Sequence, residues 1–227
     1  LEAARGAGAG RFIHIGTEAA LFRGQHLRGA DESYPLAPRS PYPYSATKAQ
    51  AELLVRQANS RTFETIVLRP RFIWGPGDTT LLPTLEAMAR SGRFMWIDHG
   101  RARTSSTHID NLVQAITLAL TKGFGGEAYF ILDDGVHTMR QMLSGMAAAR
   151  GIALPDRSAP SWLADAIGAV CEASWRILPL KGEPPLTRFG AMFLSRDAVL
   201  TDQKSRFEMC YSPVIGVEAG MVALRDG

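Results

Sequence analysis

The sequence predicts an α/β fold in which helices connect the strands of a parallel sheet. Two short apolar runs, residues 11–15 (RFIHI) and 65–68 (TIVL), have the length and composition of buried strands. Between them lies a segment of about four helical turns, residues 44–60, rich in helix-forming residues. The strand, helix, strand order is typical of a parallel sheet.

The first strand is flanked by segments of different character. It follows a glycine-rich stretch and ends at Gly16, and residues 22–43 contain too many prolines to form a continuous helix, so a loop is predicted. Residues 1–9 lack the basic start and apolar core of a signal peptide and are typical of the end of a helix. Because the chain also begins at Leu1, we expect that it lacks its natural N-terminus.

Later elements continue the alternation. The second strand should end at Arg69-Pro70, because proline cannot donate to a central strand ladder. A turn is predicted at residues 75–78, where glycine, proline and aspartate cluster. The further predicted elements are a helix at 81–89, a strand at 94–97, a helix from a cap at Asp110 to 121, a strand at 128–132, and a helix from a cap at Thr138 to 150.

Beyond Gly151 the sequence predicts a smaller, mostly helical region, in which only residues 192–194 suit a short strand. Its most apolar window, residues 161–180, carries Asp165, Glu172 and Arg176. Charged side chains are costly at the centre of a bilayer, so the window is predicted to be an amphipathic helix and not a membrane span.

The charge and the cysteine content of the chain indicate which classes of binding partner are not expected. The 25 basic and 22 acidic residues give a net charge of +3 and are scattered, which indicates neither nucleic acid nor an anionic membrane as a partner. Cys171 and Cys210 stand far apart without metal-ligand spacing, so no metal site and no disulfide framework is predicted. A reducing cytoplasm fits this pattern best.

The strongest local motif is Tyr44-x-x-x-Lys48 at the start of the first long helix. Positions i and i+4 share a helix face, so the Lys48 ammonium should lie near the Tyr44 phenol. A nearby positive charge stabilises the phenolate and lowers the phenol pKa, which is ordinarily about 10. The pair therefore predicts a general acid/base.

Thr17 follows the first predicted strand directly. In open α/β sheets, ligands bind at the carboxyl ends of the strands. The Thr17 hydroxyl could there hold a substrate oxygen in line with Tyr44. Without Tyr44, the same threonine would be an ordinary turn or cap residue.

Four segments in this order resemble extended short-chain dehydrogenases/reductases. The resemblance covers residues 1–132, with a weaker match at 204–213, and it is greatest for the 3β-hydroxysteroid dehydrogenase-like and sugar-nucleotide epimerase/dehydratase branches. The matching segments are FIHIGT at 12–17, PYPYSATK at 41–48, LRP at 68–70 with WGPGD at 74–78, and THIDN at 107–111.

The resemblance implies roles for named residues. Tyr44 would be the catalytic acid/base, Lys48 would also bind the nicotinamide ribose, and Thr17 would position the substrate. The backbone at Pro70, Phe72 and Ile73 would lie along the nicotinamide of NAD or NADP. Residues 1–150 would be the remainder of a doubly wound, Rossmann-like dinucleotide-binding domain with interleaved substrate-binding segments, and 151–227 a mostly helical substrate-binding region.

The sequence differs from the family pattern at the dinucleotide-binding glycines and at the two residues after Thr17. Glycines of the dinucleotide fingerprint must follow a strand and open a helix, whereas Gly6, Gly8 and Gly10 precede a strand. The dehydratase branch has Asp-Glu after the threonine, where Glu18-Ala19 stands here. The proton-abstracting glutamate is missing, which disfavours dehydration.

Three functional hypotheses stay open. The first is an NAD(P)-dependent oxidoreductase for a secondary alcohol or ketone, sterol-like or otherwise bulky and apolar. The second is a nucleotide-sugar epimerase, and the third is a non-catalytic scaffold that binds the cofactor. A homodimer stays open as an assembly. Pocket walls are expected from residues 94–96 and the helix at 162–175, and Arg101 or Arg103 would contact the diphosphate of a nucleotide sugar.

Overall fold

The structure of the chain is a computed structural model that describes residues 1–178, 182 and 184–226. Its strands are β1 (Arg11–Ile15), β2 (Leu27–Ala30), β3 (Glu64–Pro70), β4 (Ile73–Trp74), β5 (Trp96–Ile97), β6 (Arg103–Thr104), β7 (Thr107–His108), β8 (Ala128–Ile131), β9 (His137–Thr138), β10 (Ser158–Ala159) and β11 (Ala198–Leu200). Its helices are α1 (Glu2–Gly6), α2 (Pro43–Gln57), α3 (Leu81–Arg90), α4 (Ile109–Ala119), α5 (Met139–Ala149), α6 (Ser161–Ile177), α7 (Arg188–Ser195), α8 (Gln203–Glu208) and α9 (Val217–Asp226).

The central sheet confirms the predicted parallel α/β architecture. Its order is β1-β3-β8, and both pairings are parallel. Successive residues of β3 point to opposite faces of the sheet. Ile66 and Leu68 pack with Ala115 of α4, whereas Val67 packs with Val55 of α2. Helices therefore cover both faces, as in a doubly wound fold.

A second sheet joins distant parts of the chain in the order β2-β11-β6-β9. Its strand β11 is parallel to β2 and β6, and β6 is antiparallel to β9. Residues 198–200 thus pair with strands that lie before residue 150. The division of the chain into regions 1–150 and 151–227 stays a prediction.

Most predicted helices and strands are present with bounds close to those expected. The predicted cap at Thr138 is confirmed, because its hydroxyl accepts from the Gln141 backbone N–H in a capping box. Strand β3 runs through Pro70, which is its last residue and pairs with Ile131. Within residues 1–178, 182 and 184–226, none of the helices has the length and apolar character needed to cross a membrane.

Three predictions of local structure were wrong. Helix α4 is capped by His108, whose Nδ1 accepts from the Asp110 N–H at 3.2 Å, so Asp110 is the second helical residue and not the cap. Residues 192–194 belong to α7 and not to a strand, because the Thr187 hydroxyl caps a helix there. The loop at 22–43 includes β2, which forms only by pairing with the distant β11.

Candidate active site

Helix α2, which carries the Tyr44 motif, is fixed to the sheet by a buried ion pair. The Arg69 guanidinium, at the end of β3, donates to both carboxylate oxygens of Glu52, at 3.0 and 2.5 Å. Both side chains are buried. A bidentate pair restricts both distance and orientation, so it sets the position of α2 against β3.

Tyr44 and Lys48 lie one turn apart on α2, as their spacing predicts. The Lys48 Nζ atom is 5.7 Å from the centroid of the Tyr44 ring. The Tyr44 side chain is 44% exposed and Lys48 is half-buried. Pro43 begins the helix, where its missing N–H costs no hydrogen bond. Tyr44 is thus partly exposed and partly buried at the first turn of α2.

Thr17 lies at the end of β1 and is brought next to Tyr44. Its Oγ1 accepts from the Ala19 N–H at 3.2 Å and donates to Glu18 Oε2 at 2.8 Å. Thr17 and Tyr44 line the same cavity, and Thr17 lies near enough to the phenol to lower its pKa. The structure therefore places Thr17, Tyr44 and Lys48 at one site.

The direction of the Tyr44 pKa differs from the one expected from the motif. Burial of the phenol raises its pKa above 10.0, the nearby Glu18 carboxylate raises it further, and the bond with Thr17 lowers it. Lys48 makes no resolved contribution to the pKa of Tyr44, and its Nζ atom lies 5.7 Å from the ring centroid. At neutral pH the Tyr44 phenol is thus protonated.

A cavity of about 220 Å³ opens beside Tyr44. Pro70, Phe72 and Ile73, the three residues implied to lie along the nicotinamide, line it together with Thr17. Phe72 has a φ of 47°, a left-handed backbone that turns the chain between β3 and β4. The three residues thus share one cavity with Thr17 and Tyr44, and their contact with the nicotinamide stays a prediction.

The remaining wall of the cavity comes from α7, which was not predicted to contribute. Phe189 and Phe193 line it, and the Phe189 ring centroid lies 4.9 Å from that of Tyr44. Phe193 stacks on Phe72 with centroids 6.1 Å apart. Their i, i+4 spacing on one helix face is the only local signal that could have found them.

The pocket walls expected from the sequence lie elsewhere. Phe94 and Trp96 are buried in a core cluster with Leu85 and Leu143 and do not line the cavity beside Tyr44. On α6, Trp162 is exposed and does not line the cavity beside Tyr44. Aromatic residues fill cores more often than pockets. Phe94 and Trp96 pack against apolar side chains of α3 and α5.

The buried carboxylate of Asp133 contacts both β4 and β7, and the sequence analysis did not indicate it. Its Oδ2 accepts from Trp74 Nε1 at 2.8 Å and from the Ser106 hydroxyl at 2.7 Å. Its Oδ1 accepts from the His108 backbone N–H at 2.6 Å and from Asn111 Nδ2 at 2.7 Å. One side chain thereby joins four segments near the cavity.

His108 is buried against Trp74, with ring centroids 4.8 Å apart. Burial lowers the pKa of His108, and the Asp110 carboxylate offsets part of that shift. Its Nε2 has no hydrogen-bond partner within the described residues. A neutral, packed ring fits a structural role for His108.

The donors beside Tyr44 suit the nicotinamide end of a dinucleotide. Within the residues that the structure describes, the Lys48 ammonium forms neither an ion pair nor a hydrogen bond. Three donors of a half-buried ammonium, one turn from the phenol, fit the hydroxyls of a ribose. Gly6, Gly8 and Gly10 precede β1 and do not open a helix, so they do not form a phosphate loop.

Comparisons with known proteins identify the family of the chain. Residues 1–159 match the 3-beta hydroxysteroid dehydrogenase/isomerase family. The chain is 41% identical over its full length to a 4-hydroxy-2-methyl-3-oxo-4-farnesyl-3,4-dihydroquinoline-1-oxide ketoreductase from Stigmatella aurantiaca, of which it covers 68%. It is 38% identical over 99% of its length to a 2-alkyl-3-oxoalkanoate reductase from Stenotrophomonas maltophilia, of which it covers 70%.

A solved structure confirms the fold. The protein RMD from Pseudomonas aeruginosa, solved with NADPH, superposes with a TM-score of 0.68 and 17% identity over 100% of this chain and 69% of that one. The resemblance to extended short-chain dehydrogenases/reductases, drawn from four segments of the sequence, is thereby confirmed. This chain belongs to the 3-beta hydroxysteroid dehydrogenase/isomerase family.

Proposed function

We propose that this protein is an NAD(P)-dependent reductase of ketones that carry bulky apolar groups, and that it also oxidises the corresponding secondary alcohols. The observation that carries the proposal is the meeting of Thr17, Tyr44 and Lys48 beside one aromatic cavity. The families and names of the relatives agree with it, since both relatives described above are reductases of ketones.

In the proposed reduction, the substrate carbonyl oxygen lies between the Thr17 and Tyr44 hydroxyls. A nicotinamide cofactor, held by Lys48 and the backbone at residues 70–73, would supply the hydride for the carbonyl carbon. Tyr44 gives its phenolic proton to the oxygen, which completes the alcohol and leaves a phenolate. Because the pKa of Tyr44 is raised by burial, the protonated form needed for this step is present at neutral pH. The exposed side of the phenol allows reprotonation from solvent.

The shape of the cavity supports an apolar substrate. Phe72, Phe189 and Phe193 line it, and a second cavity of about 460 Å³ shares Phe72, Ile73 and Phe193 with it. Alkyl chains or fused rings beside the carbonyl would cover these side chains and leave few polar groups unpaired.

A direct test is the oxidation of NADPH and NADH by the intact protein with a 2-alkyl-3-oxoalkanoate and with a 3-ketosteroid. We expect turnover of at least one of the two ketones, with the alcohol as product. The absence of turnover with every ketone, despite cofactor binding, would favour the scaffold hypothesis and overturn this proposal.

The epimerase hypothesis makes a different prediction. Arg101 and Arg103 are exposed and line neither cavity beside Tyr44, so the expected contact with a diphosphate has no support at this site. Conversion of a UDP-sugar to its epimer, without net oxidation of cofactor, would be the result that favours that hypothesis.

Replacing Lys48 by Met should weaken cofactor binding. Loss of a charge-assisted hydrogen bond costs about 1.5–3 kcal/mol, or roughly a 10- to 100-fold rise in Kd. Lys48→Arg should recover only part of this affinity, because a planar guanidinium does not aim its donors as a compact ammonium does. Calorimetry with NADH and with NADPH measures the cofactor Kd of each variant. Unchanged affinity in Lys48→Met would show that Lys48 is an ordinary helix residue.

Replacing Phe189 by Ala should raise the KM for a ketone with apolar groups. Burial of a phenylalanine against a substrate is worth about 1.5–3 kcal/mol, so a rise of roughly 10- to 100-fold is expected. Phe207→Ala is the matched control, because Phe207 is 87% exposed on α8. Equal KM values in the two variants would remove Phe189 from the substrate site.

Assembly as a homodimer and a cytoplasmic location remain proposals from the sequence. Light scattering of the intact protein measures the first, since a dimer has twice the mass of the monomer. Fractionation of the producing cell measures the second.

A further inference from the structure

We propose that Glu18 is a positioning residue that holds the Thr17 hydroxyl in place for catalysis, through a carboxylate that Arg71 fixes in turn. This inference rests on the proposed function, because it assigns Glu18 a part in the same reaction. Nothing in the sequence pattern pointed to it, since Glu18 first appeared only as a departure from the dehydratase motif.

Each oxygen of the Glu18 carboxylate has its own partner. Oε2 accepts from the Thr17 hydroxyl at 2.8 Å, and Oε1 accepts from Arg71 Nη1 at 2.5 Å. Glu18 is buried in the short 3-10 turn that follows β1. The residue thus links the hydroxyl of the site directly to a buried cation.

Arg71 is held on several sides and cannot easily turn away. Its Nε donates to the Thr104 hydroxyl at 2.8 Å. The guanidinium carbon lies 4.5 Å from the centroid of the Phe193 ring and 5.8 Å from that of Phe22. Because the whole side chain is buried, Arg71 holds the Glu18 carboxylate in a fixed position.

This arrangement restricts the only proton of the Thr17 hydroxyl. A threonine hydroxyl can rotate among staggered positions, and its proton can serve one acceptor at a time. Glu18 takes that proton while the site awaits substrate, and the Ala19 N–H donates to the same oxygen. The Thr17 oxygen is therefore held in one rotamer before the ketone arrives, and the hydroxyl hydrogen then turns about the C–O bond from Glu18 to the ketone oxygen.

The competing interpretation is that Glu18 and Arg71 form an ion pair that only stabilises the fold. The two interpretations differ in whether the effect of Glu18→Gln on kcat depends on the Thr17 hydroxyl. The experiment measures kcat and KM for a ketone in the intact protein, for Glu18→Gln, Thr17→Val and the double variant. We expect Glu18→Gln to lower kcat about tenfold, the value of one charge-assisted hydrogen bond, with little change in cofactor Kd. Combined with Thr17→Val, the same substitution should change kcat less than about twofold.

The matched control is Glu52→Gln, which removes a carboxylate from another buried arginine pair that does not touch Thr17. Its effect on kcat should be the same with Thr17 and with Val at that position. If Glu18→Gln does not fold, the neutral pair Glu18→Gln/Arg71→Met takes its place in both backgrounds, because it leaves no buried arginine unpaired.

Equal losses from Glu18→Gln in both backgrounds would overturn the inference and leave the proposed function intact. A wild-type protein without ketone turnover would overturn the proposed function, and this inference with it. Unchanged kcat in Thr17→Val would remove both Thr17 and Glu18 from the reaction.

Discussion

Replacing Tyr44 by Phe in the intact protein should lower ketone turnover by about 10²- to 10⁴-fold, the usual contribution of a general acid/base. The phenyl ring keeps its packing against Phe189, whose centroid is 4.9 Å away. Only the phenolic hydroxyl is lost and the Lys48 ammonium stays, so cofactor affinity should stay nearly unchanged. Steady-state kinetics at saturating ketone, with calorimetry for the cofactor, measure both quantities.

The control for this variant is Tyr42→Phe. Tyr42 is half-buried, and its ring also lies near Phe189, with centroids 6.2 Å apart. It should retain most of the turnover. A loss below about threefold in Tyr44→Phe at saturating ketone would remove Tyr44 from the mechanism.

The pH dependence follows from the raised pKa of Tyr44. A protonated phenol is the form that reduces a ketone, and burial moves its pKa above 10.0. The reduction rate should therefore show no fall from phenol ionisation through neutral pH, and should decrease only above pH 10.0. A decrease centred near pH 7 would show that another group, or a Tyr44 with lowered pKa, controls the reaction.

Local sequence signals were enough for the central part of the fold. The strand at residues 11–15 and the helix from Tyr44 are each specified by their own composition, and both formed as predicted. Thr17 and Tyr44 could be paired because a helix that follows a parallel strand starts at the edge of the sheet where that strand ends. That rule links two distant residues without any knowledge of side-chain contacts.

The rest of the site depends on contacts that the sequence does not encode locally. Phe189 and Phe193 reach the cavity only because α7 packs beside it, and the segment was partly read as a strand. Arg71 and Glu18 are 53 residues apart, and no helix or strand periodicity relates them, so their ion pair is visible only in the structure. The pKa of Tyr44 was predicted in the wrong direction because a motif does not report burial.

Asp133→Asn should lower the free energy of unfolding by about 2–6 kcal/mol, although Asp133 contacts no residue of the proposed reaction. Its two oxygens accept four hydrogen bonds, two each. An asparagine keeps one acceptor oxygen and turns an NH₂ group toward the other two donors. Two buried donors then lack partners, at about 1–3 kcal/mol each.

Urea unfolding of the intact protein measures this loss, and Asp134→Asn is the matched control. Asp134 is the next residue but is exposed, and it pairs with Arg206 at the surface, where an ion pair contributes about 0–1 kcal/mol. Because the donors to Asp133 come from Trp74, Ser106, His108 and Asn111, its loss should also loosen β4 against β7 beside the cavity. Asp133→Asn should therefore raise the KM for ketone as well as lower stability. Equal unfolding free energies for Asp133→Asn and Asp134→Asn would show that the four donors find other partners and that Asp133 does not hold these segments together.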